Sequence, residues 1–336
     1  MMSATGTLTA NPQVGVVITA YNNADTITEA ISSLRAQSYS RKHLFVVVDQ
    51  SSSDETEKVV DEQSAKADFS VIKCRGVGRS KARNIGWKAV DCPVVMFADG
   101  DDVYGEEYLN KAIDALSSDP HVGGVCLGGA PLPTGKKLLD DFYRAYGATD
   151  ARAQSGKQPD WAWVYKIECL TATGGFDESL SQAEDKEFCG RVKQAGFAIA
   201  YVSGVNWYRR KAQTFREFVG KEYLAGRRRV FYYAKKRVYR PIAKGLAPVA
   251  LLISLVALGL IEGPTLAAVG ALLALALYVV ASVSKVRGSR PSLRSLGRFS
   301  FMALSAWVAF SAGTVYGLLA LLGRVSGLSH LDTGRF

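Results

Sequence analysis

The run Asp99-Gly100-Asp101-Asp102 follows directly on the apolar stretch Val94-Val95-Met96-Phe97-Ala98, so three carboxylates appear where a buried strand leaves the core. Carboxylates this close repel one another unless cations or hydrogen-bond donors compensate, and a hard divalent ion beside a diphosphate would do so. Asp102 could also cap the helix expected next. A second acidic pair, Glu184-Asp185, stands ahead of Lys186 and Arg191 and offers a carboxylate for proton transfer. Between the two lies the segment from Gly76 to Gly86, with cations at Arg79, Lys81 and Arg83. Its glycines would let backbone approach a phosphate, and the start of a helix there would favour an anion. The spacing does not fit GxxxxGK[ST], which argues against a P-loop. Ala20-Tyr21-Asn22 supplies an aromatic face and an amide, and Asp49 can accept hydrogen bonds from a base or a ribose.

These groups all sit at the ends of expected strands. The apolar run from Val14 to Thr19, helical spacing from Ala24 to Gln37, and the run from Leu44 to Val48 begin an alternation. It continues with a helix from Asp54 to Ser64, a short strand near Val71, a helix from Ser80 to Lys88, the Val94 strand, a helix from Glu106 to Leu116 and a strand near Val122. Strand and helix alternating at short intervals predict a doubly wound, Rossmann-like parallel α/β sheet, whose ligands bind at the carboxyl ends of its strands. Residues 127 to 160, rich in Gly and polar residues, read as a loop over the sheet edge with one helix near Asp140 to Tyr146.

The C-terminal part is different in kind. Residues 242 to 324 contain one acidic residue, Glu262, and apolar runs at about 242–261, 266–284 and 299–322, each long enough to cross roughly 30 Å of hydrocarbon. Three transmembrane helices are expected. Residues 209–240 hold twelve Lys or Arg against two Glu, a surplus equal to the formal net charge of +10 of the whole chain. With Phe215, Phe218, Val219 and Tyr223 on roughly one helical face, this segment reads as an amphipathic interfacial helix on anionic headgroups. Nucleic acid is excluded as a partner because the basic run leads straight into lipid-spanning sequence. The basic loop between the second and third spans puts it and the N-terminal domain in the cytoplasm by the positive-inside rule, leaving a short tail at 325–336. No basic region followed by an apolar core opens the chain, so no signal peptide is expected. The five cysteines show no CxxC spacing, and neither a metal nor a redox role is assigned to them.

Taken together, the motifs of residues 14 to 230 resemble glycosyltransferase family 2. Ala20-Tyr21-Asn22, the acidic and serine-rich run from Asp49 to Asp54, Lys81-Ala82-Arg83-Asn84 with Gly86, Asp99-Gly100-Asp101-Asp102, Gly174-Gly175-Phe176-Asp177-Glu178 and the Glu184-Asp185 pair with Arg191 occur in that family's order. The resemblance implies a GT-A fold in a domain spanning residues 1–208, followed by interfacial helices at 209–240 and the membrane part at 241–324. It implies that Ala20, Tyr21, Asn22, Asp49, Lys81, Arg83, Asp99 and Arg227 hold a nucleotide sugar, GDP-mannose or a UDP-hexose. Asp99 and Asp101 would engage its diphosphate through Mg²⁺ or Mn²⁺. Asp185, paired with Glu184, would be the catalytic base. Trp161 and Trp163, near the expected acceptor cleft, offer rings that can stack on a sugar, with core packing the alternative for one of them. A His usual in the family after the Glu-Asp helix is replaced by Tyr208-Arg209-Arg210. The implied activity is inverting transfer of a hexose, mannose by family habit, to a hydroxyl of a lipid-linked acceptor. A polyprenyl phosphate mannose or glucose synthase and a processive polysaccharide synthase are the alternatives. A non-enzymatic adaptor would be expected to lose Asp101 or Asp185, and both are present.

Overall fold

The computed structural model describes residues 8, 11–146, 159–180, 182–263, 265–266, 268–271 and 293–325. The chain forms two compact units, Met1–Leu132 with Thr149–Arg210, and Pro133–Ala148 with Lys211–Gly334.

The first unit is built on an eight-stranded sheet ordered β3-β2-β1-β4-β7-β6-β8-β5. Strands β1 (Val14–Ala20), β2 (Lys42–Asp49), β3 (Ser70–Cys74) and β4 (Val94–Asp99) run parallel, as their apolar runs predict. Their register puts Thr19 opposite both Val47 and Asp99, and Asp49 opposite Cys74, so the chemistry-bearing strand ends share one edge. Helices α1 (Ile27–Arg35), α2 (Thr56–Ser64) and α3 (Gly78–Lys88) cross between them.

The other half departs from the expected all-parallel sheet. β5 (Asp102–Tyr104) leaves β4 after two residues, and α4 (Tyr108–Ser117) leads into β6 (Val122–Pro131). β7 (Val164–Lys166) runs antiparallel to both β4 and β6, and β8 (Ala198–Arg209) runs parallel to β6 and antiparallel to β5. The sheet is therefore mixed. A three-residue strand leaves no periodic signal, and β8 hides its alternation behind a register shift against β6. The glycine run 128–129, expected as loop, is strand: a Cβ on Gly129 would lie 2.4 Å from the Trp207 ring, whose Nε1 donates to the Leu127 carbonyl at 2.9 Å. Helices α6 (Ile167–Thr173) and α7 (Glu184–Gln194) complete this unit.

The second unit is helical, with α5 (Lys137–Tyr146), α8 (Phe215–Lys235), α9 (Arg240–Glu262) and α10 (Leu293–Val325). The apolar face expected to lie on headgroups packs instead on protein: Phe218 is buried with Phe142, Tyr143 and Met302, and Phe215 stacks on Phe301 with centroids 5.5 Å apart. Backbone meets backbone between α8 and α10, where a Cβ on Gly313 would stand 1.9 Å from the Tyr223 carbonyl. Two helical stretches, Arg240–Glu262 and Ser300–Leu321, are long and apolar enough to cross a membrane. On α9, Leu252, Ile253 and Leu260 are 62%, 64% and 83% exposed. The expected middle span at 266–284, most of the basic loop after it and the tail at 325–336 fall essentially outside the described residues.

The seat of α3 is set by one small residue. A Cβ at Gly86 would lie 2.2 Å from the Val17 side chain of β1, so a larger side chain must push the helix off the sheet. Gly86→Leu is expected to cost about 1–3 kcal/mol and to lower the apparent Tm of the detergent-solubilised chain by several degrees; an unchanged melt would show that the helix has room to shift.

Candidate active site

The carboxyl ends of β1, β2 and β4 and the first turn of α3 enclose a cleft of about 230 Å³, lined by residues including Ala20, Tyr21, Asn22, Asp49, Gly78, Arg79, Asp99 and Asp101. Its loops are tied to one another. Asn22, in the left-handed conformation at φ 51°, accepts the Ser53 N–H at 2.8 Å, and the Ser52 hydroxyl accepts the Asn22 N–H. The Thr26 hydroxyl donates to the Gly100 carbonyl at 2.8 Å.

Asp49 is 3% exposed and accepts four bonds, from the Ser51 N–H and hydroxyl and from the N–H groups of Gly76 and Val77. Burial would raise its carboxyl, but these donors outweigh burial and hold it below the usual carboxylate value. It joins the end of β2 to the glycine turn before α3 while facing the cleft.

The acidic strand end is neutralised from inside the protein. Arg83, with no exposed surface, donates Nη2 to Asp99 Oδ1 at 2.7 Å and Nη1 to Glu184 Oε1 at 2.9 Å. Arg209 donates to both oxygens of Asp102, at 3.0 and 2.7 Å, and to Asp99 Oδ2 at 3.2 Å. Arg79, about half exposed on the cleft wall, stands 3.5 Å from Glu184 Oε1. The result is a chain of alternating charge: Arg79, Glu184, Arg83, Asp99, Arg209, Asp102. Trp163 lies beneath it, with the Arg83 and Arg209 guanidinium carbons 4.9 and 5.8 Å from its ring centroid. Burial acts against the ionised form of Asp99, yet Arg83, Arg79 and Arg209 hold its carboxyl well below the usual range. Burial, joined by repulsion from Asp99 and Asp101, lifts Asp102 to about 6 against the pull of Arg209.

Several residues therefore stand elsewhere than the motifs implied. Arg83 is a buried bridge between carboxylates, not part of the cleft wall. Lys81 is exposed and does not line the cleft; α3 begins at Gly78, so residues 79 and 83 share a face and residue 81 points away from it. Trp163, 6% exposed and covered by two arginines, is core and not a surface for a sugar, and Trp161 is half-buried against the same apolar cluster. Arg227 belongs to α8 of the helical unit, its guanidinium carbon 4.7 Å from the Tyr316 ring centroid. Asp102 caps no helix: it opens β5 and pairs in register with Arg209. Arg79 and Arg209 were absent from the expected site. The first was legible as the cation beside the glycines; the second was visible only once β5 and β8 were paired.

At the start of α7, the two acidic residues differ. Glu184 is buried between Arg83 and Arg79, and although burial raises its carboxyl the arginines win and keep it below its usual value. Through Arg83 and Arg79 it fastens the start of α7 to α3. Asp185 is half-buried, accepts the Lys186 N–H at 2.8 Å, and is raised first by burial and then by the charge of Glu184. Asp99, Asp101 and Asp102 each bring a carboxylate oxygen within 4.8 Å of the others, an all-oxygen set that suits a hard cation. With both oxygens of Asp102 on Arg209, Asp101 and Asp99 are the members of that set which line the cleft.

The sequence pattern of the family described as Glycosyltransferase like family 2 matches residues 12–225. A probable glycosyltransferase YdaM of Bacillus subtilis is 26% identical over 224 residues, 61% of this chain and 52% of that protein, so the chain spans about half the length of that relative. Glycosyltransferase AglE of Haloferax volcanii is 22% identical, covering 68% of this chain and 76% of its own. The solved mannosyltransferase PcManGT from Pyrobaculum calidifontis, in complex with GDP-Man and Mn²⁺, superposes with a TM-score of 0.56 at 19% identity, over 92% of this chain and 88% of that one, which shows the shared fold. A mixed α/β sheet whose parallel strand ends carry this acidic cleft, matched over most of its length by one family pattern, places the chain in glycosyltransferase family 2 with a GT-A-like core.

Proposed function

We propose that the protein is an inverting glycosyltransferase that moves a hexose from a nucleotide sugar to a hydroxyl of a lipid-linked acceptor at the cytoplasmic face of a membrane. The observation that carries the reading is the cleft that gathers Asp49, Arg79, Asp99 and Asp101 at one sheet edge, with the Glu184-Asp185 pair linked to it through Arg79. Asp49 and Tyr21 suit the nucleoside, and Arg79 with the first turn of α3 suits the diphosphate. Mannose is favoured by the neighbour solved with GDP-Man. The membrane reading draws on two long apolar helices and the exposed aliphatic face of α9.

In the reaction the acceptor oxygen attacks the anomeric carbon as its bond to the diphosphate breaks, inverting the configuration. The acceptor proton passes to the Asp185 carboxylate, and the nucleoside diphosphate leaves. Glu184 cannot compete for that proton, since its arginines hold it ionised. Burial, joined by the charge of Glu184 beside it, makes Asp185 the more basic of the two. Mg²⁺ or Mn²⁺ held by Asp101 and Asp99 would neutralise charge on the leaving diphosphate.

Incubating solubilised protein with radiolabelled sugar nucleotides and membrane lipid extract tests the whole reading, and the absence of any labelled lipid product across GDP- and UDP-sugars would defeat it. Asp101→Asn is expected to abolish Mn²⁺-dependent binding of a nucleoside diphosphate in calorimetric titration while leaving the melt unchanged. Undiminished binding would remove Asp101 from the metal site.

Asp185→Asn should bind donor normally and turn over at least about a hundredfold more slowly, since only proton transfer is lost. Activity needs the deprotonated carboxyl, whose pKa is raised, so wild-type turnover should fall with decreasing pH at values above the ordinary carboxylate range. That limb should vanish from the residual activity of the variant. Near wild-type turnover would mean that no base is needed, and would favour a phosphate acceptor.

A further inference from the structure

Helix α3 reaches past the donor cleft. Its Asn84, 3% exposed, uses the whole of its amide on neighbours: Nδ2 donates to the Phe176 carbonyl at 2.8 Å and to Glu178 Oε1 at 3.0 Å. Oδ1 accepts the Phe176 N–H at 2.8 Å and the Trp87 Nε1–H at 3.1 Å. One turn earlier, the Ser80 hydroxyl donates to the Leu180 carbonyl at 2.7 Å. The approach is close enough that a Cβ on Gly175, at φ +82°, would stand 2.4 Å from Asn84 Oδ1. From the other side, Arg191 of α7 donates to the carbonyls of Thr173 and Gly175, both at 2.7 Å, and is itself held by Glu187. The loop that ends at Glu184 and Asp185 is thus fastened to the same helix that puts Arg79 on the cleft wall.

We propose that Asn84 is a positioning residue: by fixing the loop from Gly175 to Leu180 on α3 it sets where Asp185 stands relative to a donor held at the first turn of that helix. The inference rests on reading Asp185 as the base. Asn84 itself touches neither cleft nor base. Exchanging it for Asp preserves shape but turns both donors into an acceptor, aimed at the buried Phe176 carbonyl and at the carboxylate of the exposed Glu178. The loop must then move, and displacement of a reacting group by about 1 Å costs on the order of a hundredfold in rate.

A double-mutant cycle decides it, using the full-length chain in detergent. Affinity is read by calorimetry with GDP or UDP plus Mn²⁺. Turnover is read as nucleoside diphosphate released from the sugar nucleotide that the wild type consumes. Asn84→Asp is expected to lower turnover about 30- to 100-fold with affinity within about threefold, and to cost less than about threefold further when placed on Asp185→Asn. Retained turnover, or a loss of affinity that matches the loss of turnover, would overturn the proposal. So would an equal cost in both backgrounds, an outcome that leaves Asp185 standing as the base. Wild-type turnover in Asp185→Asn alone would instead remove the base and this proposal with it. Should Asn84→Asp fail to fold, Glu178→Ala cuts one of the same bonds without adding charge. It is expected to show the same split at about tenfold, and unchanged turnover there would overturn the proposal.

Discussion

Three aspartates within four residues cannot all be ionised at a partly buried strand end without cations fixed beside them, and much of this unit is arranged to supply those cations. Arg83 comes from α3, Arg209 from β8, and Arg79 from the lip of the cleft. Each guanidinium bridges or borders carboxylates of different elements, so the charge chain ties β4, β5, β8, α3 and α7 together. Buried ion pairs are poor sources of net stability but expensive to break singly, because the abandoned partner stays buried. Their effect here is to fix geometry: Arg209 holds Asp102 away from the cleft, while Asp99, held by Arg83 and Arg209, lines it beside Asp101.

The same chain separates the roles of two adjacent acids. Glu184 lies between two arginines and stays charged; Asp185, one residue on, accepts the Lys186 N–H and is raised by burial and by the charge of Glu184. Two adjacent carboxylates are therefore set apart through burial and partners, one locked between arginines and the other not.

Helix α3 is where these constraints meet. Over six residues it offers Arg79 to the cleft, Ser80 to the Leu180 carbonyl, Arg83 to the carboxylates and Asn84 to the Phe176 backbone. It can do so because Gly86 lets it sit against Val17 of β1. In the helical unit, close backbone approach at Gly226, Gly313 and Gly317 plays the corresponding part between α8 and α10.

The parallel half of the sheet, the acidic strand end, the Asp49 turn and the long apolar helices could be read directly, because each is a local pattern: an apolar run, a spacing of charges, a length. So could the family, from the order of its motifs. The antiparallel half was not legible, since β7 has three residues and β8 is interrupted where its register shifts. Within the site, local pattern named the residue types but not their directions. Lys81 and Arg79 look equivalent in the sequence, and only the start of α3 at Gly78 turns one to the cleft and the other to solvent. Arg209 lies 107 residues from Asp102, and nothing local marks them as partners. Their pairing exists only because β5 and β8 align Asp102 opposite Arg209. Whether Trp161 or Trp163 packs in the core is not written locally either, and only the fold sets two arginines over the Trp163 ring. Which groups are present was written in the chain; which of them face the cleft, and which neutralise those that do, depended on long-range register and helix phase, and these are fixed only when the core closes.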